Sequence, residues 1–449
     1  MVKPFFKPYR HDKPRHNHRE AVGAFLILAL VTGAFLYYFS NLDAGRRART
    51  PTTPATASSP IPLKPAPGQL LGVDNRQSFS ITQTQEVAHE NYGAAAPAAK
   101  SGVTKITFRY RSSDVDGTLF TVYGRAYLPT GGGSYPIFAF APGTTGIGDQ
   151  CAPSLENPKA ANWGNYDSHM LMYASQGYAA VTTDYEGMRD ISRLHHYMNG
   201  ELEGRALLDA VRALKNLPDA KGHLKSAQVV VGGYSQGGHA AFWADTIARD
   251  YAPDITVKGV VGFGPVMSVK ESIGDVTYGS TLSWFGPYVL TSYRDYYKAD
   301  YGLERILQPR FVQNLTGDVL SHCIDTDIAF WGHNPNTVYT PEFLASINAD
   351  TFAAQYPELA RDLDKNSVGN EATSSAKLIN QGKGDNVVLA RQSESVMPGM
   401  CSASTGPVQL KLYNGTHYNT MVLSLNDTLA WMRQVTGGER PISTCPTVQ

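Results

Sequence analysis

The chain is poor in the marks of several function classes. It has no G-x-x-x-x-G-K-[ST] loop and no dinucleotide fingerprint, so neither nucleotide phosphates nor nicotinamide cofactors are indicated. Charge of one sign is missing as well: 39 basic residues meet 39 acidic ones, and no basic motif with interleaved aromatics occurs. Without a global field or such a motif, nucleic acid is not an expected partner. Cysteine is scarce. The four copies, Cys151, Cys323, Cys401 and Cys445, form no C-x-x-C, which argues against a zinc site or a thioredoxin-like pair. Neither a cofactor nor a metal is expected. What is present is apolar: 42% hydrophobic content, with 25 tyrosines and 17 phenylalanines, supports a sizeable core. A length of 449 residues suffices for one large α/β domain with additions.

The N-terminus sets the compartment. Residues 1–20 carry Lys3, Lys7, Arg10, Lys13, Arg15 and Arg19 against Asp12 and Glu20, and His11, His16 and His18 decorate this basic flank. Ala21–Ser40 then holds no charge, and as a helix it reaches about 30 Å, enough to cross a bilayer. The basic flank stays inside, and Tyr37-Tyr38-Phe39 suits the outer interface. The stretch reads as a transmembrane signal anchor, or as a signal peptide cut near Thr32-Gly33-Ala34. Either way the rest of the chain is exported, membrane-anchored or secreted. In an exported chain the four cysteines read as two disulfides, with three possible connectivities. Residues 41–75, rich in Pro, Ala, Thr and Ser, read as a tether. The globular part starts near Leu70, and residues 76–449 are assigned to the folded domain.

That domain is organised around Val229-Val230-Val231-Gly232-Gly233-Tyr234-Ser235-Gln236-Gly237-Gly238. A β-branched run stops at glycines, a serine follows, and more glycines open an alanine-rich helix. This is the strand–turn–helix context of a G-x-S-x-G nucleophile elbow. The turn is so tight that the positions two before and two after the serine tolerate no side chain, and the helix N-terminus presents N–H groups to developing negative charge.

Around it, Thr104–Tyr110, Leu119–Leu128, Pro136–Ala141, Tyr178–Thr183 and Val257–Phe263 read as strands. Glu201–Leu217 and Gly237 to about Tyr251 read as helices. Strands alternating with helices indicate an α/β fold with a mostly parallel sheet. After Pro265 the alternation is lost for about a hundred residues, through a stretch rich in Tyr and Trp. Residues of about 268–374 read as a helical insertion, either a cap over the sheet edge or a subdomain with its own small core. The sheet resumes at Ala376–Gly382 and ends with Val408–Tyr413, followed by a closing helix from about Met421 to Val435.

A serine nucleophile needs a base, and the base needs an acid to fix its tautomer. In a sheet of this kind the order is Ser, then acid, then His. His239 lies one turn into the helix after Ser235 and points away from the strand edge, and His322 and His333 fall in the insertion as structural residues. His417, after the last strand and Asn414-Gly415-Thr416, is the expected base. Asp385, after Ala376–Gly382 and one strand–helix unit before His417, is the expected acid. The oxyanion donors are expected from the Gln236 N–H and from Thr144 or Thr145 in the Gly143–Gly146 loop. Sequons stand at Asn314, Asn414 and Asn426, and a glycan on Asn414 would crowd His417, so that one is expected unmodified.

Gly233-Tyr234-Ser235-Gln236-Gly237-Gly238, the Gly143-Thr144-Thr145-Gly146 loop with Cys151-Ala152-Pro153-Ser154, and Asp385 with His417 resemble the secretory lipases of the α/β-hydrolase superfamily, the fungal lipase A type. The resemblance covers roughly Val73 to Cys445. It implies an ester hydrolase with a Ser-Asp-His triad, a helical cap and no cofactor. It also implies the disulfides Cys151–Cys323 and Cys401–Cys445. The expected activity is a serine carboxylic-ester hydrolase, a lipase or esterase acting outside the cytosol on small-molecule or lipid esters. An acyltransferase or peptidase with the same triad, and an idle hydrolase fold that only binds, are the alternatives.

Overall fold

The computed structural model describes residues 65–157, 162–278 and 282–446. The expected anchor at residues 21–40 and most of the tether lie outside them. Among the described residues no helix is long and apolar enough to cross a membrane.

The strands are β1 (Leu70–Phe79), β2 (Val103–Ser113), β3 (Leu119–Pro129), β4 (Tyr135–Ala141), β5 (Ala179–Thr183), β6 (Leu224–Tyr234), β7 (Val257–Phe263), β8 (Ala376–Gly382) and β9 (Val408–Tyr413). They form one nine-stranded sheet in the order β1-β2-β3-β5-β4-β6-β7-β8-β9. The β1–β2, β2–β3 and β3–β5 pairs are antiparallel, and every pair from β5 to β9 is parallel. The central strands β4, β5 and β7 are covered on both faces, which is why they are near-continuous apolar runs.

Side-chain alternation sorts those runs. Ile137, Ala139, Val229 and Val231 belong to the core on one face, whereas Phe138, Phe140 and Val230 belong to the core on the opposite face. The second face is packed by α1 (Ile81–Tyr92) and α2 (Tyr166–Ser175), the first by α3 (Gly200–Asn216) and α4 (Gln236–Tyr251). Helices α3 and α4 approach closely because Gly200 and Gly204 lie one turn apart. A Cβ at Gly200 would stand 1.9 Å from the Trp243 indole, and one at Gly204 2.9 Å from the Ala244 nitrogen.

Between β7 and β8 the chain is helical. It contains α5 (Val269–Asp275), α6 (Phe285–Tyr297), α7 (Ile324–Trp331), α8 (Pro341–Asn348) and α9 (Pro357–Lys365), with shorter turns between them. Their aromatics build a core of their own from Tyr288, Trp331, Tyr339 and Phe343, joined by Ile147, Tyr197 and Val388 from loops at the sheet edge. After β8 come α10 (Ala390–Ala403) and, at the end, α11 (Leu425–Gly437).

Two boundaries differ from expectation. Strand β1 begins within the stretch assigned to the tether (41–75), because an edge strand that exposes Asp74, Asn75, Arg76 and Gln77 carries no apolar alternation. The closing helix is interrupted at Ser424, whose hydroxyl bonds back to the Thr420 carbonyl, leaving a short helix Thr420–Leu423 before α11.

Both disulfides implied by the resemblance are present. Cys151–Cys323 ties the loop after β4 to the insertion, and Cys401–Cys445 ties α10 to the C-terminal segment. The second closes a 44-residue separation. Replacing Cys401 and Cys445 together by Ser should lower unfolding stability by roughly 2–4 kcal/mol, since the cross-link restricts the unfolded chain. Denaturant titration under non-oxidising conditions reads this directly, and an unchanged midpoint would show that the bridge contributes nothing.

Candidate active site

Strand β6 ends at Tyr234 and α4 starts at Gln236, so Ser235 occupies the single residue between them. It adopts φ 55° and ψ −117°, a left-handed-side conformation that costs a non-glycine residue of order 1–3 kcal/mol. Backbone hydrogen bonds hold it there. Its N–H donates to the Phe263 carbonyl at 3.0 Å, and its carbonyl accepts from His239 N at 3.2 Å and Val266 N at 3.3 Å. The flanking glycines are required by contact distance. A Cβ on Gly233 would lie 2.0 Å from the Gly237 carbonyl oxygen, and one on Gly237 1.8 Å from the Ala141 oxygen.

Asp385 follows β8 through the Gly382-Lys383-Gly384 turn. Its Oδ1 accepts the N–H groups of Val387 and Val388, both at 2.9 Å, and Oδ2 accepts Gln381 Nε2 at 3.0 Å. The remaining bond to Oδ2 comes from His417 Nδ1 at 2.8 Å. A carboxylate with four donors is fixed in place, and it fixes the imidazole with its proton on Nδ1, leaving the lone pair on Nε2. Gln381 is itself anchored by Ser393, whose hydroxyl donates to its Oε1 at 2.9 Å.

The pair is brought to the elbow by two neighbours of the serine. The Tyr234 ring packs on the His417 ring with centroids 4.7 Å apart. Gly264, at φ 52°, clears the space: a Cβ there would meet His417 Nδ1 at 2.9 Å and Asp385 Oδ2 at 3.1 Å. Ser235, Asp385 and His417 are all buried to less than a tenth exposure.

Gln236 opens α4, so its N–H is one of the unpaired donors at a helix start. The Gly143–Gly146 loop touches the elbow from the other side, where a Cβ on Gly143 would be 2.7 Å from the Tyr234 ring. Thr144 Oγ1 pairs with the Tyr197 hydroxyl at 2.7 Å. Thr145 is fully buried, its hydroxyl has no partner, and its carbonyl accepts Ile324 N at 2.9 Å. A serine on a tight turn, an imidazole held by a carboxylate and a helix N-terminus thus lie together, an arrangement of the kind acyl transfer uses. Among the described residues no group of three or more His, Cys, Asp or Glu is placed to hold a metal.

Beneath Gln236 lies a polar layer that the reading of the sequence passed over. Glu203 of α3, 1% exposed, accepts Gln236 Nε2 at 2.7 Å and the Met198 N–H at 3.0 Å. The other proton of the Gln236 amide goes to His195 Nε2 at 3.0 Å. His195 donates from Nδ1 to the Glu186 carbonyl at 3.1 Å, and burial pushes its pKa down to about 3, so the ring is neutral. His239, set aside as pointing away from the strand edge, belongs to this layer. Its Nδ1 faces Glu203 Oε2 at 3.1 Å and its Nε2 the Asn366 carbonyl at 2.6 Å. Both ring nitrogens thus lie within hydrogen-bond reach of an oxygen, which fixes the ring between α3 and the end of the insertion. The available signal was Glu203 itself, an acid on the same helix face as Leu207 and Ala210, where a solvated residue does not belong. His322 is structural, stacked on Phe330 with centroids 4.1 Å apart.

His196 links this region to the insertion. Its Nδ1 meets Glu186 Oε2 at 2.7 Å and its Nε2 meets Asp295 Oδ2 of α6 at 2.9 Å. Burial alone would lower its pKa, but the two carboxylates outweigh it and hold the pKa above the ordinary histidine value. A raised folded-state pKa stabilises fully below the unfolded value of about 6.5, and the contribution is lost as pH rises through the folded value. The stability difference between the parent and His196→Gln should therefore be larger at pH 5 than at pH 9 in denaturant titrations. An equal difference at both pH values would exclude the charged latch.

The secretory lipase family model matches residues 165–444 of the chain. Lipase A of Moesziomyces aphidis is 29% identical over 172 residues, 36% of this chain and 36% of that protein. Lipase 1 of Candida albicans is 25% identical over 195 residues, 41% of this chain and 40% of that protein. The chain thus spans about two fifths or less of the length of these curated relatives. Among solved structures, the rice cell wall degrading esterase LipA of Xanthomonas oryzae superposes with a TM-score of 0.64 at 21% identity, over 84% of this chain and 100% of that one. Candida antarctica lipase A in its closed state gives 0.62 at 20% identity, over 85% of each. These likenesses place the sheet and its helices in the α/β-hydrolase fold.

Proposed function

Because the chain belongs to the secretory lipase family, as the match over residues 165–444 shows, we propose that it is a serine hydrolase of carboxylic esters. The observation that carries the reading is the His417 Nδ1–Asp385 Oδ2 hydrogen bond of 2.8 Å beside the strained Ser235 turn. In this mechanism Ser235 Oγ attacks the acyl carbon while His417 Nε2 takes its proton. Asp385 keeps the tautomer and stabilises the imidazolium that forms. The carbonyl oxygen becomes an oxyanion held by the Gln236 N–H and by a donor from Thr144 or Thr145. Of the two, Thr145 is supported by a hydroxyl that nothing else occupies, whereas the Thr144 hydroxyl is engaged with Tyr197. His417 then returns the proton to the leaving alcohol. Water, deprotonated by the same nitrogen, attacks the acyl-enzyme, releasing the acid and Ser235.

The relatives are named lipases, one of them a secreted triacylglycerol lipase of Malassezia globosa, which supports esters of aliphatic acids as substrates here. Two disulfides and the family's secretory character support export. The uncharged segment 21–40 is assigned the exporting role, whether it stays as an anchor or is removed.

Ser235→Ala should lower kcat for p-nitrophenyl esters by roughly 10⁴-fold or more and abolish fluorophosphonate labelling. Retained turnover in that variant would overturn the assignment. Asp385→Asn, which presents an amide to Nδ1 and disfavours the productive tautomer, should reduce kcat by about 10³–10⁴-fold with a smaller change in KM. If kcat falls less than tenfold, His417 is oriented by something other than Asp385.

A further inference from the structure

A cavity of about 810 Å³ opens between the loop after β4, the loop after β5 and the C-terminal half of α6. Ser235 does not line it. Part of its wall is apolar, from Ile147, Leu194, Ala299 and Leu320, and Ile191 stands 98% exposed on it. The charged lining is balanced, with Arg193, Arg294 and Lys298 against Asp149, Asp295 and Asp300.

Five of those six charges are already engaged. Arg193 pairs with Asp114 and Glu186, and Asp295 is held by His196 and Lys298. Asp149 accepts the Asp190 N–H at 3.1 Å, and Asp300 accepts the Gly302 N–H at 3.3 Å. Arg294 is different. It makes no hydrogen bond or ion pair among the described residues, and its Nε is buried without a partner. One turn earlier on α6, Thr291 lines the same cavity at 4% exposure, and its hydroxyl is also unpartnered. A buried polar group left unpaired costs about 1–3 kcal/mol, and native interiors leave few of them. Two on adjacent turns of one helix, both in residues lining one cavity, mark a place where something else supplies the acceptor.

We propose that this cavity binds a carboxylate carried on an aliphatic chain, with its head at Arg294 and Thr291 and its chain along Ile147, Leu194 and Leu320. A guanidinium fork matches two carboxylate oxygens, and a hydroxyl beside it adds a third donor. The apolar wall has no use for a bare inorganic anion but fits a hydrocarbon chain. A volume of this size is ordinary for a small-molecule site. The acid set free by ester hydrolysis is a molecule of this class, and that identification of the ligand's source rests on the hydrolase reading.

The test is isothermal titration of the full chain carrying Ser235→Ala with decanoate, decan-1-ol and inorganic phosphate. Decanoate should bind, and decan-1-ol at least tenfold more weakly. Adding Arg294→Met should weaken decanoate at least about tenfold, the scale of a lost charge-assisted hydrogen bond, while Arg294→Lys retains part of the affinity. Circular dichroism melts of both variants separate loss of binding from loss of fold. No saturable decanoate binding, equal binding in Arg294→Met and its parent, or displacement of decanoate by equimolar phosphate would each overturn the proposal. Persisting ester turnover in Ser235→Ala sinks the hydrolase reading and leaves this titration untouched. Binding that ignores Arg294 sinks the cavity assignment and leaves the hydrolase reading standing.

Discussion

The tightest steric limit at the elbow lies between the Ala141 carbonyl oxygen and Gly237. A Cβ on Gly237 would come within 1.8 Å of that oxygen. This contact brings the end of β4 against the first turn of α4, and Gly233 must yield to the Gly237 carbonyl in the same way. With strand and helix pressed together, one residue must reverse the chain, and Ser235 does so at positive φ. The strain is held by the Phe263, Val266 and His239 backbone bonds, so neighbouring strand, following loop and helix all oppose its relaxation. The donor geometry at Gln236 and the position of the loop carrying Thr144 and Thr145 follow from the same contact, because that loop is the continuation of β4.

A second constraint lies one layer deeper. Placing Glu203 at 1% exposure is unfavourable unless its lone pairs are filled, and they are filled by Gln236, Met198 and His239. The Gln236 amide spends both protons on Glu203 and His195, which sets the first residue of α4 against α3 and against the segment after β5. His239 extends the layer to the Asn366 carbonyl at the far end of the insertion. The first turn of α4 is thereby referenced to three parts of the chain, and a loss at any one of them leaves a buried polar group unpaired.

What could be read from the sequence was what has a single physical meaning. Val257–Phe263, Ala376–Gly382 and Val408–Tyr413 appear with unchanged boundaries because each is a short β-rich run closed by Gly or Asn. The elbow was legible because only a contact that excludes Cβ explains glycines two before and two after a serine. Asp385 and His417 were legible because both follow strands at the same sheet edge. Strand β1 was hidden by exposure: with Asp74 and Arg76 facing water, an edge strand has the composition of a tether. The break at Ser424 depends on one side-chain hydroxyl choosing a backbone acceptor, which spacing does not encode. Glu203 and His195 were missed for a different reason. The expected acid and base stand downstream of the serine in the chain, whereas these two support the residue after the serine from upstream.

The insertion is therefore not an appendage laid over a finished site. Cys151–Cys323 and the Thr145 carbonyl bond to Ile324 fasten the loop after β4 to α7 and its approach. Ser292 of α6 accepts the Tyr197 N–H at 3.0 Å and donates to the His195 carbonyl at 3.1 Å, clamping the segment that meets both Thr144 and Gln236. His196, held between Glu186 and Asp295, repeats that fastening in ionic form. Each expected oxyanion donor is thus bonded to the insertion directly, as Thr145 is, or through one intervening residue. A displacement of α6 or α7 cannot leave those donors where they are, because no slack separates the fastened atoms. The hundred residues that break the strand–helix alternation supply the rigidity that an isolated loop at a sheet edge lacks. The sheet aims Ser235, and the insertion holds what faces it.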